Sequence, residues 1–182
     1  MTKPELRAMA RERLSRLTRR EVAEKSAAIR ESIGANRAWR EASTVCLFAA
    51  HGTEPDVDLL WKHAAAPGKR ICYPRVQGRD LELVAVSAPE ALAVSKWNLR
   101  EPARPAAGGV PLSEIDLVLV PGLAFTRDGG RLGRGGGFYD RLLGQPLLKA
   151  RRIGVCFEVQ IVQSVPLEGH DQRVDEVLTE LS

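Results

Sequence analysis

The chain has 182 residues, 44% of them hydrophobic and 27% charged, with a net charge of +4. That length fits one domain with a sizeable core, so residues 1–182 are read as a single domain. The longest apolar stretch, Leu117–Phe125, is interrupted by Pro121 and Gly122, far short of the ~20 apolar residues that cross a bilayer. No membrane partner is therefore expected.

The charge is uneven. Residues 1–40 hold 11 Lys/Arg and 5 Asp/Glu, a balance of +6, and the rest holds 16 and 18, a balance of −2. Such a basic N-terminus fits a phosphate-bearing ligand, nucleic acid, or a solvated helix surface laced with ion pairs. Thr2 with Pro4 and Glu5 predicts a capped helix start. Leu6, Met9, Ala10, Leu14 and Leu17 follow at helical spacing. Thr18 and Glu21 repeat the capping signal, Val22, Ser26, Ile29 and Ile33 carry a second stripe, and Gly34 and Asn36 are read as its end.

An alternating pattern follows. Strands are predicted at Thr44–Ala50, Arg70–Tyr73 (stopped by Pro74), Leu81–Val86 after a Gly78–Asp80 turn, Asp116–Val120, Ile153–Phe157 and Val174–Leu178. Helices are predicted at Asp56–Ala66, Gly137–Leu143 and Val159–Ser164, and Glu101–Pro111 reads as a loop. Strands and helices in turn imply an α/β protein with a mostly parallel sheet covered on both faces. Cys46, Cys72 and Cys156 sit singly within apolar runs, so neither a zinc site nor a disulfide framework is expected. The N-terminus lacks the apolar core of a secretory signal, and a cytoplasmic location is the expectation.

The most informative segment is Arg131-Leu-Gly-Arg-Gly-Gly-Gly-Phe-Tyr-Asp-Arg141. It is neither a P-loop nor a dinucleotide fingerprint, since Phe138 stands where a last glycine belongs and ten residues separate it from Val120. Its chemistry still points to phosphate. Consecutive glycines let backbone N–H groups approach an oxyanion, Arg131 and Arg134 supply forked positive charge, and Asp140 is a natural ligand for a cation carried by phosphates. The competing reading is a glycine hinge followed by a first-turn aspartate.

Together with Val120-Pro-Gly-Leu-Ala-Phe125, Asp128 and Gly130, this segment resembles the 5-formyltetrahydrofolate cyclo-ligase family. Lys3, Arg7, Glu54, Tyr73-Pro74, Glu101-Pro102, Gly154, Gln160, Pro166, His170-Asp171 and Val174 through Glu180 extend the resemblance in order along the chain. The resemblance implies a three-layer α/β/α fold with a mostly parallel sheet, similar to the sugar-phosphate isomerase/CoA-transferase-like fold and preceded by two N-terminal helices. It implies ATP- and Mg²⁺-dependent conversion of 5-formyltetrahydrofolate to 5,10-methenyltetrahydrofolate, through phosphorylation of the formyl oxygen and ring closure by N10. Lys3, Arg7 and the run Arg131, Leu132, Gly133, Arg134, Gly135, Gly136, Gly137, Phe138 and Tyr139 then match ATP contacts. Glu54, Arg134, Gly135, Gly136, Gly137 and Phe138 match folate contacts, Arg134 and Tyr139 are the catalytic candidates, and Asp140 and Asp175 match metal ligands. A monomer is expected, with no nucleic-acid partner.

The family pattern is not followed everywhere. Trp97-Asn98-Leu99-Arg100 and His51-Gly52-Thr53 depart from it, and Phe138 stands where the family often has Tyr. A sugar-phosphate isomerase-like activity without ATP or metal, a nucleic-acid-binding module and a non-catalytic folate binder are the other readings. ATP dependence separates the first, and steep salt dependence the second.

Overall fold

The computed structural model describes residues 1–61, 68–103 and 108–182. Two capping boxes open the chain. Thr2 and Glu5 cap each other at the start of α1 (Lys3–Ser15), and Thr18 and Glu21 do the same for α2 (Arg19–Ala35). Each satisfies two otherwise orphan N–H groups. α1 buries Leu6, Ala10 and Leu14, and α2 buries Ser26, Ile29 and Ile33. Gly34 does not end α2. Asn36 takes an extended conformation, and its side chain accepts from Ala38 N at 2.9 Å to start α3 (Arg37–Glu41). The residue read as a stop is thus also a start, because the same asparagine caps the next helix.

The central sheet contains β1 (Thr44–Cys46), β2 (Arg70–Gln77), β3 (Asp80–Ala85), β6 (Leu117–Val120), β9 (Arg151–Val155) and β10 (Glu176–Leu178) in the order β10-β9-β6-β1-β2-β3. All neighbours are parallel except β2 and β3, which form an antiparallel hairpin at one edge. β2 runs past Pro74, contrary to the expected stop. β1 ends at Cys46, opposite Cys72, so beyond that point only β3 flanks β2. A missing N–H is tolerated on such a half-open strand. Two small hairpins complete the strands: β4 (Leu92–Val94) with β5 (Arg100–Pro102), and β7 (Ala124–Phe125) with β8 (Arg131–Leu132). Part of the stretch expected as a loop at Glu101–Pro111 is therefore strand, and its residues 104–107 lie outside the described ones.

The sheet's two faces separate by strand parity. Val45, Leu47, Ile71, Tyr73, Leu117, Leu119, Ile153 and Val155 join the apolar stripes of α1, α2 and α3. Cys46, Cys72, Val118 and Val120 pack on the other side with Leu142 and Leu143 of α4 (Phe138–Leu143). The expected mostly parallel α/β sheet with N-terminal helices is what the chain forms. The predicted Val159–Ser164 helix is a single 3₁₀ turn, Glu158–Gln160. Of the predicted Asp56–Ala66 helix, Asp58–Leu60 is a 3₁₀ turn and residues 62–67 lie outside the described ones. Among the described residues, no helix is long and apolar enough to cross a membrane.

Candidate active site

The strand order creates the site. From β1 the chain proceeds to β2 on one side, while β6 lies on the other. Connections leaving the carboxyl ends of β1 and β6 therefore diverge and leave a crevice, the usual binding place in an open parallel sheet. Phe48, His51 and Glu54 enter it from β1, Pro121 and Gly122 from β6, and Arg131, Gly133, Arg134 and residues 136–140 from the glycine-rich segment, around a cavity of ≈ 180 Å³. A second hollow of ≈ 440 Å³ runs along β4–β5 beside Lys96 and Trp97 and shares Val76 with the crevice.

Glu54 and Arg134 face each other across this crevice. Arg134 Nε and Nη2 donate to Glu54 Oε1 at 2.9 and 2.8 Å, and Nη2 also reaches His51 O at 3.1 Å. Glu54 Oε2 accepts from His51 N at 2.9 Å. A buried carboxylate thus meets a guanidinium on an exposed loop. Gly135 and Gly137 have φ of +114° and +67°, a region that costs side-chain-bearing residues energy. Gly137 stands at the start of α4, and no side chain caps that helix.

Arg131 is placed differently. Its side chain is 2% exposed, and Nη2 donates to Asp140 Oδ1 at 2.6 Å. Nη1 points at Pro121 O, 3.4 Å away, and the guanidinium lies 5.9 Å from the Tyr139 ring centroid. Its Nε is buried without a partner, which costs on the order of 1–3 kcal/mol. Asp140 Oδ1 also accepts from Gln172 N at 3.2 Å. Burial, which disfavours the phenolate, raises the Tyr139 hydroxyl well above its ordinary pKa.

The N-terminal cations reach the same region. Arg7 Nε donates to Gly133 O at 3.0 Å and ties α1 to the loop. Lys3 Nζ bonds Asp171 Oδ2 at 2.7 Å and lies 3.0 Å from Glu168. Burial works against charge on both partners, yet their mutual hydrogen bond prevails: the Lys3 pKa is raised and that of Asp171 lowered. Other arginines of the basic segment form exposed i, i+4 pairs, such as Arg16 with Glu12 and Arg37 with Glu41. The N-terminal charge is thus split between a solvated face and the site.

Two expected site residues are placed elsewhere. Asp175 precedes β10 and takes the backbone N–H of Arg152 at 2.7 Å, at the start of β9. That is the amino end of the parallel sheet, whereas the crevice is at its carboxyl end. The Leu132 side chain lies in the core, and its carbonyl accepts from Leu123 N. It supports the loop without facing the crevice. The acidic residue missed as a candidate is Asp171. Its neighbour Gln172 binds Asp140, so Lys3, Asp171, Gln172, Asp140 and Arg131 form one polar chain. The His170-Asp171 pair within the family-like run was the available signal. Lone tryptophans gave none for the walls: Trp39 is core, and Trp61 Nε1 donates to Tyr73 OH at 3.2 Å.

The donor set suits a hard cation brought by phosphates. Among the described residues, Arg131 Nη2 and Gln172 N both bond Asp140 at Oδ1, which leaves Oδ2 for an ion that takes oxygen ligands and keeps waters. Among the described residues there is no cluster of three or more His, Cys, Asp or Glu able to hold a metal alone. Magnesium bound through one or two carboxylates plus substrate phosphates needs no such cluster.

Sequence and structural comparison agrees with this geometry. The profile of the 5-formyltetrahydrofolate cyclo-ligase family matches residues 1–180. The chain belongs to that family. The mouse 5-formyltetrahydrofolate cyclo-ligase is 30% identical over 186 residues, spanning 96% of this chain and 92% of its own length. The Mycolicibacterium smegmatis enzyme is 34% identical over 142 residues, 75% of this chain and 73% of its own. The NMR structure of Aquifex aeolicus 5,10-methenyltetrahydrofolate synthetase superposes with a TM-score of 0.85 at 29% identity, covering 100% of this chain and 91% of that one. The protein is thus an enzyme, a cyclo-ligase acting in folate chemistry.

Proposed function

We propose that this cyclo-ligase is ATP- and Mg²⁺-dependent and converts 5-formyltetrahydrofolate to 5,10-methenyltetrahydrofolate with release of ADP and phosphate. The observation that carries the reading is a buried carboxylate, Glu54, set against a glycine-rich loop in one crevice and joined to it by Arg134. Glu54 holds the amino and N–H donors of the pterin. The N–H groups of Gly133 to Gly137 cradle phosphates, and Lys3 and Arg7 add positive charge from α1. Asp140 holds Mg²⁺, with Asp171 beside it in the polar chain. When bound, the metal neutralises phosphate charge.

The ATP γ-phosphoryl group passes to the formyl oxygen, giving an N5-iminium phosphate. N10 attacks the formyl carbon and gives up its proton to solvent, the five-membered ring closes, and phosphate leaves. Such a transfer needs positioning and electrostatic stabilisation more than a protein nucleophile. Arg134, which reaches toward both substrates, stabilises charge on the transferring group. Tyr139 keeps its proton and serves as a neutral hydrogen-bond donor. The enzyme acts as a cytoplasmic monomer in this reading.

The test is incubation of purified protein with 5-formyltetrahydrofolate and Mg-ATP while following the near-UV absorbance of the methenyl product. Product that requires both ATP and metal is expected. Product formed without ATP would refute the phosphorylation route.

A further inference from the structure

The glycine-rich loop is held by its carbonyls. From α1, Arg7 Nε donates to Gly133 O at 3.0 Å. From α4, Arg141 Nη2 donates to Gly136 O at 3.1 Å. Phe138, Tyr139 and Asp140 line the crevice, whereas the Arg141 guanidinium turns to the tip of the β2–β3 hairpin. There Nε donates to Arg79 O at 2.9 Å and reaches Asp80 Oδ1 at 3.2 Å, and Nη2 donates to the same Arg79 carbonyl. The guanidinium also lies 5.1 Å from the Phe138 ring centroid. One side chain thus bridges a carbonyl of the loop and a carbonyl of the hairpin tip.

Consecutive glycines have no Cβ to restrict φ and ψ, so their peptide planes turn easily. A plane turned the wrong way sets a carbonyl oxygen, rather than an N–H, against a bound phosphate. Gly136 and Gly137 both line the crevice, so the plane between them matters to any anion there. In a trans peptide the C=O of one residue and the N–H of the next point in opposite directions. With Gly136 O held on Arg141, Gly137 N–H points away from that guanidinium, and no hydrogen bond among the described residues uses it. We infer that Arg141 is a positioning residue of the nucleotide site: by holding Gly136 O, it keeps Gly137 N–H, and not a carbonyl, offered to phosphate. This rests on the proposed nucleotide role of the loop. Lysine keeps the charge but is a point donor without the flat fork that takes both carbonyls. Methionine keeps an unbranched chain over Phe138 and donates to neither.

The experiment compares wild type, Arg141→Lys and Arg141→Met in two ways. Calorimetry measures binding of a non-hydrolysable ATP analogue and of 5-formyltetrahydrofolate, and NMR follows the backbone amides of the protein without ligand. Arg141→Met is expected to weaken analogue binding by about tenfold, the scale of one charge-assisted hydrogen bond, and to leave folate affinity unchanged. The amide signals of residues 135–137 should shift or broaden in the unliganded variant, while those of α1 and β6 stay in place. Arg141→Lys should fall between wild type and Arg141→Met. Weaker analogue binding with unaltered loop signals would make Arg141 a direct phosphate ligand and overturn the inference. Altered loop signals with full analogue affinity would overturn it as well, since the loop would then set itself on binding. Equal losses for nucleotide and folate, with an earlier urea midpoint, would reduce Arg141 to general support of the fold. If Arg141→Met does not fold, Arg141→Lys is read by the same criteria. Wild type that binds no analogue would remove the nucleotide role of the loop and the inference with it, and the unliganded spectra distinguish that failure from one of the tether alone.

Discussion

The glycine-rich loop has a floor and a tip, and they differ in kind. At the floor, Arg131 and Asp140 are largely buried, pinned by Gln172 N and linked through Asp171 to Lys3. At the tip, Arg134 extends from exposed glycines to Glu54. A buried pair loses much when one partner is removed, because the other charge is left without solvent. The Arg134 guanidinium is exposed, so it can change partners wherever another donor takes its place at the buried Glu54 carboxylate. The floor is thus suited to hold geometry, and the tip to change partners as substrates arrive.

The largest expected effect is at the floor. Asp140→Asn should lower Mg²⁺-dependent turnover by more than the ~10–100-fold typical of residues one step from a metal, while folate binding stays within a few-fold. Equal losses in both would erase the distinction between floor and tip. Next comes the hairpin that carries the floor. Gly129 has φ +89°, and a Cβ there would lie 2.1 Å from Val174 O. Gly129→Ala should destabilise the protein by at least ~1–3 kcal/mol, read as an earlier urea midpoint. An unchanged midpoint would mean that the hairpin can shift freely.

At the tip, Glu54→Gln removes a charge but keeps an acceptor. It should weaken binding of 5-formyltetrahydrofolate by about tenfold, or about 1.4 kcal/mol, with nucleotide affinity unchanged. A loss confined to nucleotide would reverse the assignment of the two sides.

The smallest effect separates Lys3 from the solvated arginines. The Asp171 pKa is lowered on folding, so its contribution is present above its ordinary value of 3.8 and is lost as pH falls through the lowered one. The Lys3 pKa is raised, so its contribution is present below 10.5 and is lost as pH rises through the raised one. Lys3→Met should therefore cost about 1 kcal/mol across neutral pH, with the difference from wild type shrinking at both extremes in pH-dependent unfolding. A difference independent of pH would place Lys3 among residues that only pack.

Local chemistry was legible in the sequence. The two capping boxes, the stripes of α1 and α2, the apolar run of β6 and the start of α4 depend on residues within a few positions of one another. The glycine-rich loop, Glu54, Lys3 and Arg7 were legible as candidates because their side-chain chemistry limits what they can do. Asn36 ends α2 as expected but also starts α3, and Pro74 does not stop β2, because the meaning of each depends on what stands next to it in space. An asparagine that ends one helix caps another, and a proline is tolerated where a strand is flanked on one side only.

Tertiary structure decided which candidates meet. Only the strand order, with β1 between β6 and β2, opens the crevice where Glu54 and the loop face each other. The same sheet sends Asp175 to its amino end and brings Asp171 and Gln172 toward Asp140. Arg131 and Arg134 share a residue type and a loop, and burial alone sets them apart. The sequence by itself determined the N-terminal helices, the cores of the main strands and the reactive groups, because capping, periodicity and side-chain chemistry act over short range. Which groups converge is a long-range matter, fixed when apolar faces from distant segments close over one sheet.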